Sequence, residues 1–253
     1  MSDLIVEQRE DVLSVTFNRP AQRNAMTWEM YRGLEEACRR ADADESIRVM
    51  VLRGAGGDAF VAGTDISQFR GFTGQQGVDY EHRISAVLGG LAAVRVPTIA
   101  AIDGFCIGGG LGIAAVTDLR IAGATAAFGV PIARTLGNCL SISTVSVLVG
   151  LIGRSRTTDL LMTARLMRAE EALAAGLVAT VSHDVDAELE RVVQRLRANA
   201  PLTLWATKEA MRRLHDGRVV DDTDIVSRVY GSEDFAGAVE SFLAKTPPVW
   251  RGR

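Results

Sequence analysis

The 253-residue chain is poor in the side chains that build metal and disulfide sites. Its three cysteines, Cys38, Cys106 and Cys139, are odd in number and far apart. That spacing excludes a disulfide framework and a zinc site, and it points to a reducing compartment. His82, His183 and His215 are equally scattered and form no metal constellation. The longest mostly apolar run, "VSVLVGLIG", falls far short of the ~20 residues a membrane span needs. The N-terminal "MSDLIVEQRED" has no basic n-region and no apolar h-region, so no signal peptide is expected. A net charge of −3 gives no electrostatic case for nucleic acid. The tightest basic cluster, "MRRLHDGR", reads as the solvated face of a late helix. These absences leave a soluble cytoplasmic protein as the expectation.

Hydrophobic residues make up 47% of the chain, enough for a sizeable core. The length suits one large domain, or one domain with a small appendage. The first half alternates strands and helices. "LIVEQRED" and "VLSVTFN" read as a hairpin turning near Glu10 and Asp11. Thr27 can cap a helix in which Met30, Leu34, Ala37 and Ala41 recur at helical spacing. "RVMVLRG" and "VPTIAAIDG" read as buried strands. "VAGTDISQF" opens a helical segment, "RGFTGQQGVD" reads as a mobile polar loop, and a helix is expected from Asp79 to Val94. The second half is mostly helical. Ser155 can cap "RTTDLLMTA", and Gly176 can close "AEEALAAG". "DAELERVVQRLRANA" has a one-sided apolar face. "PLTLWATKEAMRRLHDG" begins with proline and ends with glycine, as helices tend to do. "SEDFAGAVESFLAK" carries Phe235, Val239 and Phe242 on one face. The class is α/β with a helical C-terminal region.

One stretch stands apart, "GFCIGGGLGIAAVTDLR", with Gly104, Gly108, Gly109, Gly110 and Gly112. Gly110 to Ala115 fits G-x-G-x-x-A after a strand, the form of a dinucleotide fingerprint. That fingerprint wants an acid about twenty residues on to hold a ribose. No Asp or Glu occurs from Leu119 through Thr158. The dinucleotide reading is therefore weak. A second reading keeps the strand, turn and helix and drops the nucleotide. Unpaired N–H groups at a helix start, reached across glycines, can hold a ligand oxygen, as in an oxyanion hole.

Three segments agree with the second reading. "NRPAQRNAMT" (18–27), "FVAGTDI" (60–66) and "PTIAAIDGFCIGGGLGIAAVTDLRIAGATAAFGVP" (97–131) resemble, in order and at family spacing, motifs of the crotonase superfamily, the enoyl-CoA hydratase/isomerase family. "IGRSRTTDLLMTARLMRAEEALAAGLV" and the C-terminal "FLAK" resemble it too. The resemblance implies a crotonase-like spiral of ββα turns, with a core over 1–190 that binds acyl-CoA. A C-terminal helical region over 191–253 would trimerise, giving a homotrimer or a dimer of trimers. The implied ligand is an acyl-coenzyme A thioester, with coenzyme A as part of the substrate and no prosthetic group or metal. The implied oxyanion donors are the backbone N–H groups of Thr64 and Gly109. Removing one such donor typically costs about 2.7–4 kcal/mol of transition-state stabilisation. Coenzyme A would lie along Arg23, Asn24 and Ala25 and along Ala62, Gly63, Asp65 and Ile66, with Arg23 available to a phosphate. Phe242 and Lys245 match positions that reach a neighbouring subunit's cofactor site.

The sequence departs from the family where hydratases carry two glutamates. Those positions are Gly112 and Ile132. The downstream loop is replaced by "ARTLGNCLSIST", which offers Arg134, Asn138, Cys139 and Ser141 as candidate polar groups for the pocket. Tyr80, Glu81 and His82 fall on a helix that borders the acyl pocket in the family, and each is a candidate acid or base. Asp65 and Asp118 match positions that are largely structural. Without the two acids, hydration is expected to be impaired. The open alternatives are an acid-independent decarboxylase or C–C lyase, and an acyl-CoA-binding homologue without catalysis.

Overall fold

The computed structural model describes residues 2–215 and 222–253. β1 (Leu4–Arg9) and β2 (Val12–Phe17) form the expected antiparallel hairpin. Its turn is at Glu10, which takes a left-handed φ of 53°, and Asp11. Arg197 ion-pairs with both acids and so ties the hairpin to a distant helix. α1 (Trp28–Ala43) follows, and the Thr27 hydroxyl accepts from the Met30 N–H as its cap.

The same order then recurs three times. β3 (Val49–Gly54), β4 (Ala59–Ala62) and α2 (Gly74–Ala93) make one unit. β5 (Thr98–Ile102), β6 (Phe105–Ile107) and α3 (Gly109–Ala115) make the next. β7 (Leu119–Gly123), β8 (Ala127–Gly129) and α4 (Ile132–Thr135) make the last. The first strand of each unit enters one sheet, ordered β1-β2-β3-β5-β7. The second strand enters another, ordered β4-β6-β8. Within each sheet these unit strands are parallel. Each unit advances the chain by one strand in both sheets, so it winds as a spiral of ββα turns.

Further down the chain come α5 (Ile142–Thr163), β9 (Met167–Arg168), α6 (Ala169–Ala175) and β10 (Thr180–Ser182). β9 pairs with β8, and β10 pairs with β7 at the edge of the larger sheet. α7 (Val185–Arg197), α8 (Pro201–His215), α9 (Thr223–Tyr230) and α10 (Glu233–Ala244) complete the order.

Strand alternation explains why the inner strands read as continuous apolar runs. On β3, Met50 and Leu52 enter the main core, while Val49 and Val51 face a second core. On β5, Ala100 and Ile102 face the first, Ile99 and Ala101 the second. Val185 and Val193 of α7 cover that second face. A strand buried on both sides needs apolar residues at every position. Each fully buried Val, Leu, Ile or Met contributes about 1.5–3 kcal/mol relative to exposure.

Several boundaries differ from expectation. α2 begins at Gly74 and takes in much of the segment expected to be mobile. Thr73 and Gln76 form a reciprocal capping box there, and it offsets the poor propensity of two glycines. "DISQF" makes only a short 3₁₀ turn, Ile66–Phe69. Ser155 is not a cap, because the helical segment breaks at Gly153, whose φ is 77°. Gly176 does close α6, in the left-handed conformation. The glycine expected to end α8, Gly217, lies outside the described residues, as does part of "MRRLHDGR". A division at 190/191 would cut through α7, which packs on the larger sheet. The structural change to helices alone comes after β10, with α7 the first of them.

Candidate active site

A cavity of about 310 Å³ opens where the ends of β4 and β6 meet α2, α3 and α4. Two backbone segments form its polar floor. Met26 and Thr64 make a parallel bridge, in which the Met26 N–H donates to the Gly63 carbonyl at 2.9 Å and the Asp65 N–H to the Met26 carbonyl at 2.9 Å. In a parallel pairing the neighbours of Thr64 take these bonds, and its own N–H points away from Met26. Among the described residues that N–H has no protein acceptor. Gly109 is the first residue of α3, where an amide has no intrahelical partner. Its N–H also finds no acceptor among the described residues.

The two segments touch. Gly108 has φ 55° and ψ −119°, a combination open to glycine alone. A Cβ on Gly108 would lie 3.6 Å from the Gly63 Cα. A Cβ on Gly109 would lie 2.8 Å from the Tyr31 hydroxyl and 3.2 Å from Thr64 Oγ1. The glycines therefore let the segments that carry the Thr64 and Gly109 amides pack closely together.

The Thr64 hydroxyl is held between two phenols, 2.8 Å from Tyr31 Oη and 2.8 Å from Tyr80 Oη. Burial pushes both phenols above the ordinary tyrosine range, so both stay protonated at neutral pH. Edge-on aromatic contacts fix Tyr80, with Phe69 at 4.8 Å and Trp28 at 5.5 Å between ring centroids. Phe69 and Tyr80 both line the cavity.

Glu81 also lines the cavity and is half-buried. Its Oε2 accepts from the Ser141 N–H at 2.9 Å, at the start of α5. Burial raises its carboxyl above the ordinary range, and that hydrogen bond partly opposes the shift. Both Gly112 and Ile132 line the cavity, so neither position supplies a carboxylate. A Cβ on Gly112 would meet Leu88 Cδ1 at 3.3 Å. Helix α2 thus closes up to the place where a larger residue would stand.

The other candidates separate into groups. Asn138 lines the cavity. His82, Arg134 and Cys139 are solvent-exposed and are absent from its wall, so they are not pocket groups here. Ser141 caps α5, accepting from the Thr144 N–H, and reaches the site only through its amide on Glu81. Ala62, Gly63 and Ile66 line the mouth, with Ile66 largely exposed. Asp65 caps its 3₁₀ turn through Ser67 and pairs with Arg19 at 3.2 Å. These bonds hold its carboxyl below the usual range. Asp118 accepts from the Thr98 N–H and hydroxyl and pairs with Lys208 at 2.8 Å. Both aspartates therefore have structural partners. Phe242 and Lys245 are exposed at the end of α10. Arg23 is exposed with its guanidinium over Phe105, and Ala25 is partly exposed.

Asn24 is different from its neighbours. Its side chain is fully buried, accepts from the Arg19 N–H and donates to the carbonyls of Ala55 and Ala59. It sits at φ 57°. The side chain braces the loop and has no surface for a ligand. Asn24→Ala is expected to lower stability by about 3 kcal/mol, from three lost bonds and unpaired buried groups. Urea unfolding would check it, and an unchanged midpoint would refute the bracing role.

The sequence reading did not single out Tyr31, whose apolar neighbours on α1 make it look like ordinary core. Its hydroxyl bond to Thr64 is a tertiary fact with no local signal.

The enoyl-CoA hydratase/isomerase family model matches residues 7–253. The chain is 35% identical to enoyl-CoA hydratase EchA19 of Mycobacterium tuberculosis, covering 99% of this chain and 97% of that one. It is 30% identical to 2,3-dehydroadipyl-CoA hydratase of Escherichia coli, over the whole of both chains. Among solved structures it superposes on an enoyl-CoA hydratase/carnithine racemase from Magnetospirillum magneticum with a TM-score of 0.93 and 34% identity, covering 100% and 97% of the two chains. The chain belongs to the enoyl-CoA hydratase/isomerase family of the crotonase superfamily. No described helix is long and apolar enough to cross a membrane. No cluster of metal-ligating side chains occurs among the described residues.

Proposed function

We propose that this protein processes acyl-CoA thioesters by stabilising a thioester enolate between the amides of Thr64 and Gly109. The carrying observation is that two amides without acceptors among the described residues stand on touching segments in the wall of a largely apolar cavity. Charge develops on the thioester oxygen as the enolate forms, and preorganised donors stabilise that state more than the ground state. The pantetheine and nucleotide would run from the cavity mouth at Ala62–Ile66 along Arg23 and Ala25. Coenzyme A enters as part of the substrate, and the chemistry calls for no prosthetic group.

Gly112 and Ile132 argue against ordinary enoyl-CoA hydration, which needs both an activated water and a delivered proton. The same two positions favour decarboxylation or C–C cleavage as a second reading, because there the electrons of the broken bond form the enolate directly. A binding role without turnover is the third reading. A mixed acyl-CoA panel with mass-spectrometric detection separates them. New products from unsaturated, malonyl-type or β-hydroxyacyl thioesters support an enzyme. Micromolar binding with no product supports the third reading, and no binding at all removes the acyl-CoA assignment.

Self-association is part of the proposal. Phe235, Val239, Phe242 and Leu243 of α10 leave apolar surface uncovered in the single chain, in keeping with a homotrimer or a pair of trimers. Three free thiols fit a cytoplasmic location.

A further inference from the structure

We infer that Glu81 is the proton-transferring carboxylate of this site, taking the place of the two acids absent at Gly112 and Ile132. The inference rests on the acyl-CoA thioester reading above.

Helical spacing places it there. Glu81, Ile84 and Leu88 recur at i, i+3 and i+7 on α2, and all three line the cavity. Ile84 and Leu88 supply apolar wall, and Glu81 extends the same stripe toward the start of α5. The Ser141 N–H anchors one carboxylate oxygen, which fixes the rotamer of a long side chain. Among the described residues, Glu81 is the one carboxylate in the cavity wall. Thr64 and Gly109 share that wall, so the proton carrier and the donor pair face a common volume.

Glycine at position 112 is what leaves this arrangement open. The space that a side chain there would enter is bounded by Leu88, one helical stretch along from Glu81. In this chain the cavity's carboxylate stands on α2, in the wall that Gly112 of α3 shares.

The step is a proton transfer. Glu81 carboxylate takes a proton from the carbon next to the thioester carbonyl. That C–H bond breaks, and its electron pair delocalises onto the thioester oxygen, which accepts from the Thr64 and Gly109 amides. Glu81 becomes a neutral carboxylic acid. Return of the proton, to the same carbon or to a conjugated one, restores the carboxylate, so no co-reactant is consumed. Burial of Glu81 suits this cycle, since it brings the acid and carboxylate forms closer in free energy near neutral pH.

Hydrogen–deuterium exchange at the α-carbon of butyryl-CoA in D2O reads this step without knowledge of the natural substrate. The wild-type protein is expected to catalyse the exchange. Glu81→Gln keeps an oxygen for the Ser141 N–H and is expected to slow exchange by about 100-fold or more, with butyryl-CoA affinity little changed. Glu81→Ala is expected to lose exchange and to regain at least about tenfold of it with added formate, which restores a carboxylate to the cavity. A structural role for Glu81 would not respond to formate. Binding without exchange in the wild type, exchange that survives Glu81→Gln, or failure of formate rescue overturns the assignment of Glu81 alone. Failure of the wild type to bind butyryl-CoA overturns the thioester reading, and this inference with it.

Discussion

Crotonyl-CoA is expected to be hydrated about 10²–10⁴-fold more slowly than by a hydratase that carries both glutamates. The argument is one of counting groups. Hydration adds a hydroxyl to one carbon and a proton to its neighbour, so water must be positioned and deprotonated while a proton is delivered. The cavity has Gly112 and Ile132 where the family resemblance places the two acids, and neither can do this. Glu81 approaches from another helix and is one group, not two. The loss of enoyl-thioester absorbance measures the rate directly. A turnover of hundreds per second would show that the missing glutamates do not matter, and would remove the main reason to look beyond hydration. The test has weight because relatives 30% and 35% identical carry hydratase names.

Gly110→Ala is expected to prevent the formation of a stable fold. A Cβ there would stand 2.1 Å from the carbonyl oxygen of Val61 and 2.8 Å from its Cβ. The obstacle is strand backbone, which cannot rotate aside. Overpacking commonly costs about 1–3 kcal/mol even where side chains can adjust, and here α3 would have to leave β4. The cost should exceed about 3 kcal/mol. Gly112→Ala is the control. Its Cβ would press on the flexible end of Leu88 at 3.3 Å and make an ordinary contact with Thr144 Cγ2 at 4.0 Å, and alanine gains about 0.8–1 kcal/mol of helix propensity over glycine. The net change there should be within about 1 kcal/mol. Soluble expression and urea unfolding of the two variants would check the contrast. Equal stability of both would mean that close backbone approach does not explain the glycine run.

That contrast shows what could be read from the sequence. The run Gly108 to Gly110 reads as a place where a ligand oxygen reaches the backbone, whereas the packing of Gly110 on the Val61 backbone is a tertiary contact that the local sequence does not display. The alternating buried strands β3 and β5 were legible as short apolar runs. β6 and β8 were not, since strands of three residues are too short to display a period. The sequence reading starts α2 at Asp79 because the first turn of the helix is polar and contains glycine, and the capping box of Thr73 and Gln76 carries the start back to Gly74. His82 and Glu81 are adjacent in sequence, yet they fall on different sides of α2. Only the packing direction of that helix tells which one meets the cavity.

Beyond Gly109, α3 has no solvent side. Gly110 through Ala115 are all buried, with sheet, α2 and α5 around them. An element enclosed in this way cannot fray or swing on its own, so the Gly109 amide should not be released by any opening smaller than loss of the whole fold. In that sense the amide has the lifetime of the native state. On the proposed function, a ligand would meet a position already fixed, and adjustment on binding would come from the ligand or from the mouth at Ile66.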